Sequence, residues 1–123
     1  MTENEISYLI RGAVFEVYNE LGPGLLESIY EAALFRLLRE ENLKVLRQMP
    51  VPVIFRGEDL GQALKLDLLV EEKVIIELKS VEALAPVHHK QLMTYLKLTK
   101  IKLGLLINFN EVPIKIKRIV NGL

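Results

Sequence analysis

The chain has 123 residues, half of them hydrophobic, and sixteen basic side chains balance sixteen acidic ones to a formal charge of zero. This composition excludes wholesale disorder, and neutrality argues against a protein that coats nucleic acid nonspecifically, because that binding works by neutralising phosphates. With no Cys and no apolar run near the ~18 residues of a membrane span, disulfides, thiolate metal sites, a Cys nucleophile and membrane association are all unexpected, and a cytoplasmic location is the natural expectation.

Thr2 and Glu5 have capping-box spacing. Behind them Ile6, Leu9, Ile10, Ala13, Val14, Val17 and Leu21 recur at helical period. A first helix should therefore stop at Leu21-Gly-Pro-Gly24, where glycine and proline end it. A second is expected from Leu25 to Asn42, with Leu26, Ile29, Tyr30, Ala33, Leu34, Leu37 and Leu38 on its apolar face. From Val45 to Phe55 the period falls to two, and Pro50 and Pro52 lack N–H donors, which marks an edge strand or a broken one. Arg56-Gly-Glu-Asp59 reads as a turn, Leu60 to Val70 as a second strand, and Val74 to Lys79 as a third, rich in β-branched residues. Pro86 opens a third helix that turns Leu92 and Leu96 inward. Leu103 to Phe109 is almost continuously apolar, as in a strand covered on both faces, and Ile116 to Val120 makes a short last strand. The order predicts an α/β fold over residues 1–123: one domain with a central mixed β-sheet flanked by helices.

Charge is unevenly spread. Residues 1–86 carry nine basic and fifteen acidic side chains, whereas residues 87–123 carry seven basic ones (Lys90, Lys97, Lys100, Lys102, Lys115, Lys117, Arg118) and only Glu111 as an acid. Either the lysines are a solvated outer face, or they form a basic rim beside an acidic site.

That acidic site has a candidate in Glu77-Leu-Lys79, inside the most hydrophobic strand. Alternation puts Glu77 and Lys79 on one face with Ile75, while Val74, Ile76 and Leu78 take the other. A hairpin loop of Glu71-Glu-Lys73 pairs Val70 with Val74 and so brings Asp67 opposite Glu77. Like charges facing one another destabilise a sheet. Two arrangements relieve the conflict: a cation between the carboxylates, of the hard Mg²⁺ or Mn²⁺ kind that oxygen ligands favour, or a salt bridge in which Lys79 neutralises one of them. Other chemistries find less support. Gly22-Pro-Gly24 lacks the Gly-Lys of a phosphate loop, no Ser-His-Asp order stands out, and two His leave little for a zinc site.

Asp67, nine intervening residues and Glu77-Leu-Lys79 together resemble the active-site signature of the PD-(D/E)XK nuclease superfamily, with Leu66 in place of its proline. Gly24-Leu-Leu-Glu27-Ser-Ile-Tyr30 resembles the motif of the GxxExxY family, small prokaryotic proteins of that superfamily. The likeness continues through Leu21–Tyr30, Asp67–Glu71, Val74–Lys79, His88, Gln91-Leu-Met-Thr-Tyr95 and Leu103–Phe109. It implies a restriction-endonuclease-like core and a Mg²⁺- or Mn²⁺-dependent nuclease that hydrolyses phosphodiester bonds, with DNA favoured over RNA as substrate. It further implies Asp67, Glu77, Glu27 and the Leu78 carbonyl as metal ligands and Lys79 as the catalytic lysine. Gln91 and Tyr95, four apart on one helix face, resemble the Q-x-x-x-Y motif of the exonuclease branch and would bind substrate with His88. They equally suit a packing helix with a bonded Tyr, and a lone His at a helix start, as His88 is, is more often a cap or a surface group than a ligand. Tyr18 stands where relatives often have His, and Tyr30 reads as a core residue holding Glu27. A catalytically weak nucleic-acid-binding or partner-binding module on the same fold, acting as a homodimer or with an accessory protein, is the alternative.

Overall fold

The computed structural model describes every residue from Met1 to Leu123. The first helix, α1 (Glu3–Leu21), starts where the sequence places its cap. The Thr2 hydroxyl accepts the Glu5 N–H at 3.1 Å, and the Glu5 carboxylate accepts the Thr2 N–H at 3.0 Å. Such a cap is worth about 1 kcal/mol. The helix ends at Gly22, whose φ of 74° is open to glycine at little cost. Helix α2 (Glu27–Glu40) follows, shorter at both ends than the apolar pattern suggests. Leu25 and Leu26 lie in the turn, and the chain leaves the helix at Glu41.

Strand β1 (Val45–Val51) breaks before Pro52, and the rest of the expected strand is a separate two-residue piece, β2 (Ile54–Phe55). It pairs with β3 (Glu58–Asp59), so the expected turn narrows to Arg56-Gly57. The next strand, β4 (Leu64–Val70), begins four residues later than expected. Then come β5 (Val74–Lys79), α3 (Pro86–Thr99), β6 (Leu103–Asn108) and β7 (Lys115–Val120). The main sheet has the order β1-β4-β5-β6-β7, with β5 and β6 parallel and all other neighbours antiparallel. Pro50 thus lies on an edge strand, where its missing N–H costs no ladder bond with a further strand.

Helices cover both faces, which is why β5 and β6 are apolar almost throughout. On one face Ile10, Val14, Tyr30 and Leu34 of α1 and α2 pack with Leu68, Ile76, Leu78 and Ile107. On the other, Leu92, Tyr95 and Leu96 of α3 pack with Leu66, Leu69, Ile75 and Leu106. Tyr30 is fully buried and stacks on Phe109, ring centroids 4.2 Å apart. Leu92 sits so close over Gly104 that a Cβ there would lie 2.8 Å from its Cδ1, so glycine lets α3 rest on β6.

One irregularity positions the site. Leu66 packs toward α3 but Leu68 toward α1 and α2, although residues two apart in a strand share a face. The alternation of β4 slips at Asp67. Its neighbour slips with it: Val45 packs with the α1–α2 layer and Val51 with the α3 layer. Between them Gln48 has a φ of 49°, and the β1–β4 register passes from Arg47↔Leu68 to Met49↔Leu66 without pairing Gln48 to Asp67. Simple even–odd counting therefore does not carry across Asp67.

Candidate active site

The β4–β5 hairpin has the register its loop length dictates, from Val70↔Val74 to Leu68↔Ile76. One step further the backbone ladder stops, and two carboxyl groups take its place. The Asp67 N–H donates to Glu77 Oε1 at 3.2 Å, and the Leu78 N–H donates to Asp67 Oδ2 at 2.8 Å. Each acid thus caps the other strand's backbone. Glu77 is only 2% exposed. Burial, and then the Asp67 charge, push its carboxyl up to about 8. Burial also raises Asp67, with the Glu31 charge adding to it and the Leu78 N–H opposing.

Lys79 lies at the end of β5, half-buried. Its Nζ donates to Gln91 Oε1 at 2.9 Å, and Gln91 Nε2 donates to the Tyr95 hydroxyl at 3.2 Å. The chain's three salt bridges are Arg36–Glu40, Lys44–Glu72 and Arg47–Glu31, so Lys79 does not form the ion pair that the sequence allowed. A neutral amide holds the ammonium instead, on a helix clamped to the sheet by Leu92. Gln91 and Tyr95 join the centre together, and His88 Nδ1 accepts the Ala85 N–H at 3.0 Å and caps α3. The cap is a role the sequence allowed His88, and it engages one ring nitrogen, Nδ1, and not Nε2.

Glu27 opens α2 on the other side of the sheet, and its Oε1 accepts the Ser80 N–H at 3.3 Å. The Ser80 hydroxyl in turn donates to the Leu25 carbonyl at 2.6 Å, tying the end of β5 to the start of α2. Tyr30 holds that turn from beneath, donating to the Gly22 carbonyl at 2.6 Å and accepting the Leu25 N–H at 3.0 Å. Tyr18 reaches the Glu111 carbonyl at 3.0 Å and so fastens α1 to the loop after β6.

Glu27, Ser28, Glu31, Gln48, Asp67 and Leu78 line a cleft of about 480 Å³. Glu77, Lys79, Gln91 and Tyr95 gather toward α3, and Asp67, at the slip in β4, stands where the two groups meet. Sequence reasoning missed Glu31 and Gln48. Glu31 is 7% exposed and accepts from Arg47 Nη2 at 3.1 Å and from Gln48 Nε2 at 2.6 Å; Gln48 also reaches Asp67 Oδ1 at 3.4 Å. The spacing of Glu31 four residues after Glu27 is a usable signal, because it puts both acids on one helix face.

In kind, the donor set suits a hard divalent cation: carboxylates and a backbone carbonyl, with no sulfur. In arrangement it is not a finished cage, since no three acidic or His side chains converge as a cation site does. One oxygen of Asp67 and one of Glu77 hold backbone N–H groups, while Asp67 Oδ1 has only the long bond from Gln48.

A strand-centred carboxyl pair, a lysine two residues on and helices on both faces define a nuclease-like core. A family model described as the PD-(D/E)XK nuclease superfamily matches residues 4–119, and the chain belongs to that superfamily. Among solved structures, the crystal structure of SSO0001 is similar, with a TM-score of 0.58 and 24% identity over 78% of this chain. The match spans 50% of that protein's chain and speaks for the restriction-endonuclease-like fold alone. No curated protein matches. No helix is long and apolar enough to cross a membrane.

Proposed function

We propose that this is a divalent-cation-dependent nuclease of the GxxExxY branch, hydrolysing nucleic-acid phosphodiester bonds with residues 1–123 as one catalytic domain. The observation that carries the reading is the interrupted β4–β5 ladder, where the buried Glu77 and half-buried Asp67 carboxyl groups replace backbone pairing beside Lys79, a lysine with no ion-pair partner. Asp67, Glu77, Glu27 and the Leu78 carbonyl are the groups that would hold Mg²⁺ or Mn²⁺. Bound there, the ion supplies positive charge for the phosphoryl oxygens and acidity for a water. Glu77 must release its proton to become a ligand. An ammonium has three donors, and Lys79 gives one to Gln91, which leaves two for the attacking water and a phosphoryl oxygen. Gln91 fixes that ammonium, and Tyr95 fixes Gln91.

Cleavage of labelled DNA and RNA panels in Mg²⁺ and in Mn²⁺ tests the reading. Products from wild type and none from Lys79→Ala are expected. A protein that cuts no substrate, or a Lys79→Ala variant as fast as wild type, contradicts it.

The incomplete gathering of acids favours a second reading, a nucleic-acid-binding or partner-binding module with little catalysis, working as a dimer or with an accessory protein. Binding that survives Asp67→Asn, without cleavage in either metal, distinguishes it.

A further inference from the structure

The basic C-terminal third is sorted by the sheet into two faces. In register, Lys79 pairs with Asn108 and Asn108 with Lys115, while Glu77 pairs with Leu106 and Leu106 with Lys117. Residues paired in register share a face, so Lys115 and Lys117 stand in the same side-chain rows as Lys79 and Glu77. They are two strands away, about 9.5–10 Å. Their neighbours agree on the face. Ile119 packs with the α3 layer and Ile116 with the opposite one. Arg118 points the other way, its Nη2 donating to Asn4 Oδ1 of α1 at 2.8 Å.

Nothing neutralises these two lysines. All three salt bridges lie between residues 36 and 40, 44 and 72, and 47 and 31. The one acid after residue 87, Glu111, has its carboxylate bonded by Asn108 Nδ2 at 2.7 Å. Both lysines are exposed. Between them and the acidic centre runs α3. Leu92 faces Gly104, so Lys90, two residues earlier and about 200° round the helix, faces outward. It too is exposed.

We propose that Lys115 and Lys117, with Lys90 between them and the centre, form a phosphate track for the strand that flanks the scissile bond. The inference rests on the nuclease reading and adds to it a direction: the strand leaves the acidic centre across α3 toward the β7 edge. A phosphodiester strand is the occupant because its charges repeat beyond the reacting group, as these lysines repeat beyond Lys79. The same placement explains how a neutral chain grips a polyanion, through one unpaired basic face.

The test is fluorescence anisotropy of labelled single-stranded and duplex DNA across a KCl series in EDTA, with cleavage kinetics in Mn²⁺ alongside. The Lys115→Ala/Lys117→Ala double variant should bind at least tenfold more weakly at low salt. Its slope of log K against log salt should be shallower by about one to two, near one for each phosphate that is no longer neutralised. Its KM should rise with kcat little changed. Arg118→Ala, on the other face, should match wild type, and Lys115→Arg/Lys117→Arg should restore binding, which separates lost charge from misfolding. If wild type cuts and the double variant keeps both its KM and its salt slope, the track is wrong and the nuclease reading stands. If wild type neither binds nor cuts, both fall. If polyglutamate binds this face in wild type and DNA does not, the surface serves acidic proteins and the track is overturned.

Discussion

The β4–β5 hairpin has two unlike ends. Near its loop, Leu68 to Val70 pair in full register with Val74 to Ile76, and the side chains fill the two core layers. The charges there lie at the surface, as in the exposed Lys44–Glu72 pair. At the other end the ladder gives way to Asp67 and Glu77, each capping the other strand, and then to Lys79. The same two strands are stiffened by apolar packing at one end and carry desolvated titratable groups at the other. Rigidity at the loop end is what lets the charged end hold a fixed geometry, since neither acid can relax without breaking a backbone bond.

The contrast can be broken at either end, and the largest effect should come from the packed one. Ile76→Ala removes a fully buried side chain and should cost about 2–5 kcal/mol, read from denaturant unfolding. Lys79→Ala should do the opposite: lower cleavage at least 100-fold, on the scale of losing one preorganised donor, while the melting temperature stays near that of wild type.

Between these lies the effect of pH. Below about 4.5 Glu77 is protonated in both the folded and unfolded chain. From there to about 8 the unfolded chain gives up that proton and the folded one keeps it. Without added metal, stability should therefore fall as pH rises through this window, at roughly 1.4 kcal/mol per unit from this group, and level off above it. Asp67, also raised, acts in the same direction. Glu77→Gln should flatten the profile in urea titrations at several pH values, and a profile unchanged by that substitution would show that Glu77 is not the buried acid. The smallest effect is expected at the exposed loop end, where Lys44→Ala should leave the unfolding midpoint unchanged, since solvent screens such pairs.

Much of this is legible in the sequence. The helix starts follow from Thr2 and Pro86, and the hairpin register, with Asp67 brought beside Glu77, from a three-residue loop. Tyr30 reads as a core residue and is one. The slip in β1 and β4 is not legible. Period-two counting assumes an unbroken pleat, and Gln48 and Asp67 break it together, so only packing reveals where Leu66, Leu68 and Val51 go. The spacing of Glu31 from Glu27 hints at a shared face, but its burial shows only through its partners, Arg47 and Gln48, which lie on a neighbouring strand. The salt bridge allowed to Lys79 fails for a similar reason: its partner, Gln91, arrives from a helix twelve residues on, and nothing local requires it.

The most direct measurement is calorimetric titration of the metal-free protein with Mn²⁺ near pH 7, in two buffers of different ionisation enthalpy. Binding should release about one proton, from Glu77, and should weaken at least tenfold in Asp67→Asn and in Glu77→Gln. Absence of binding, or binding that neither releases a proton nor responds to these substitutions, would place any metal chemistry elsewhere and leave the interrupted ladder a purely structural feature.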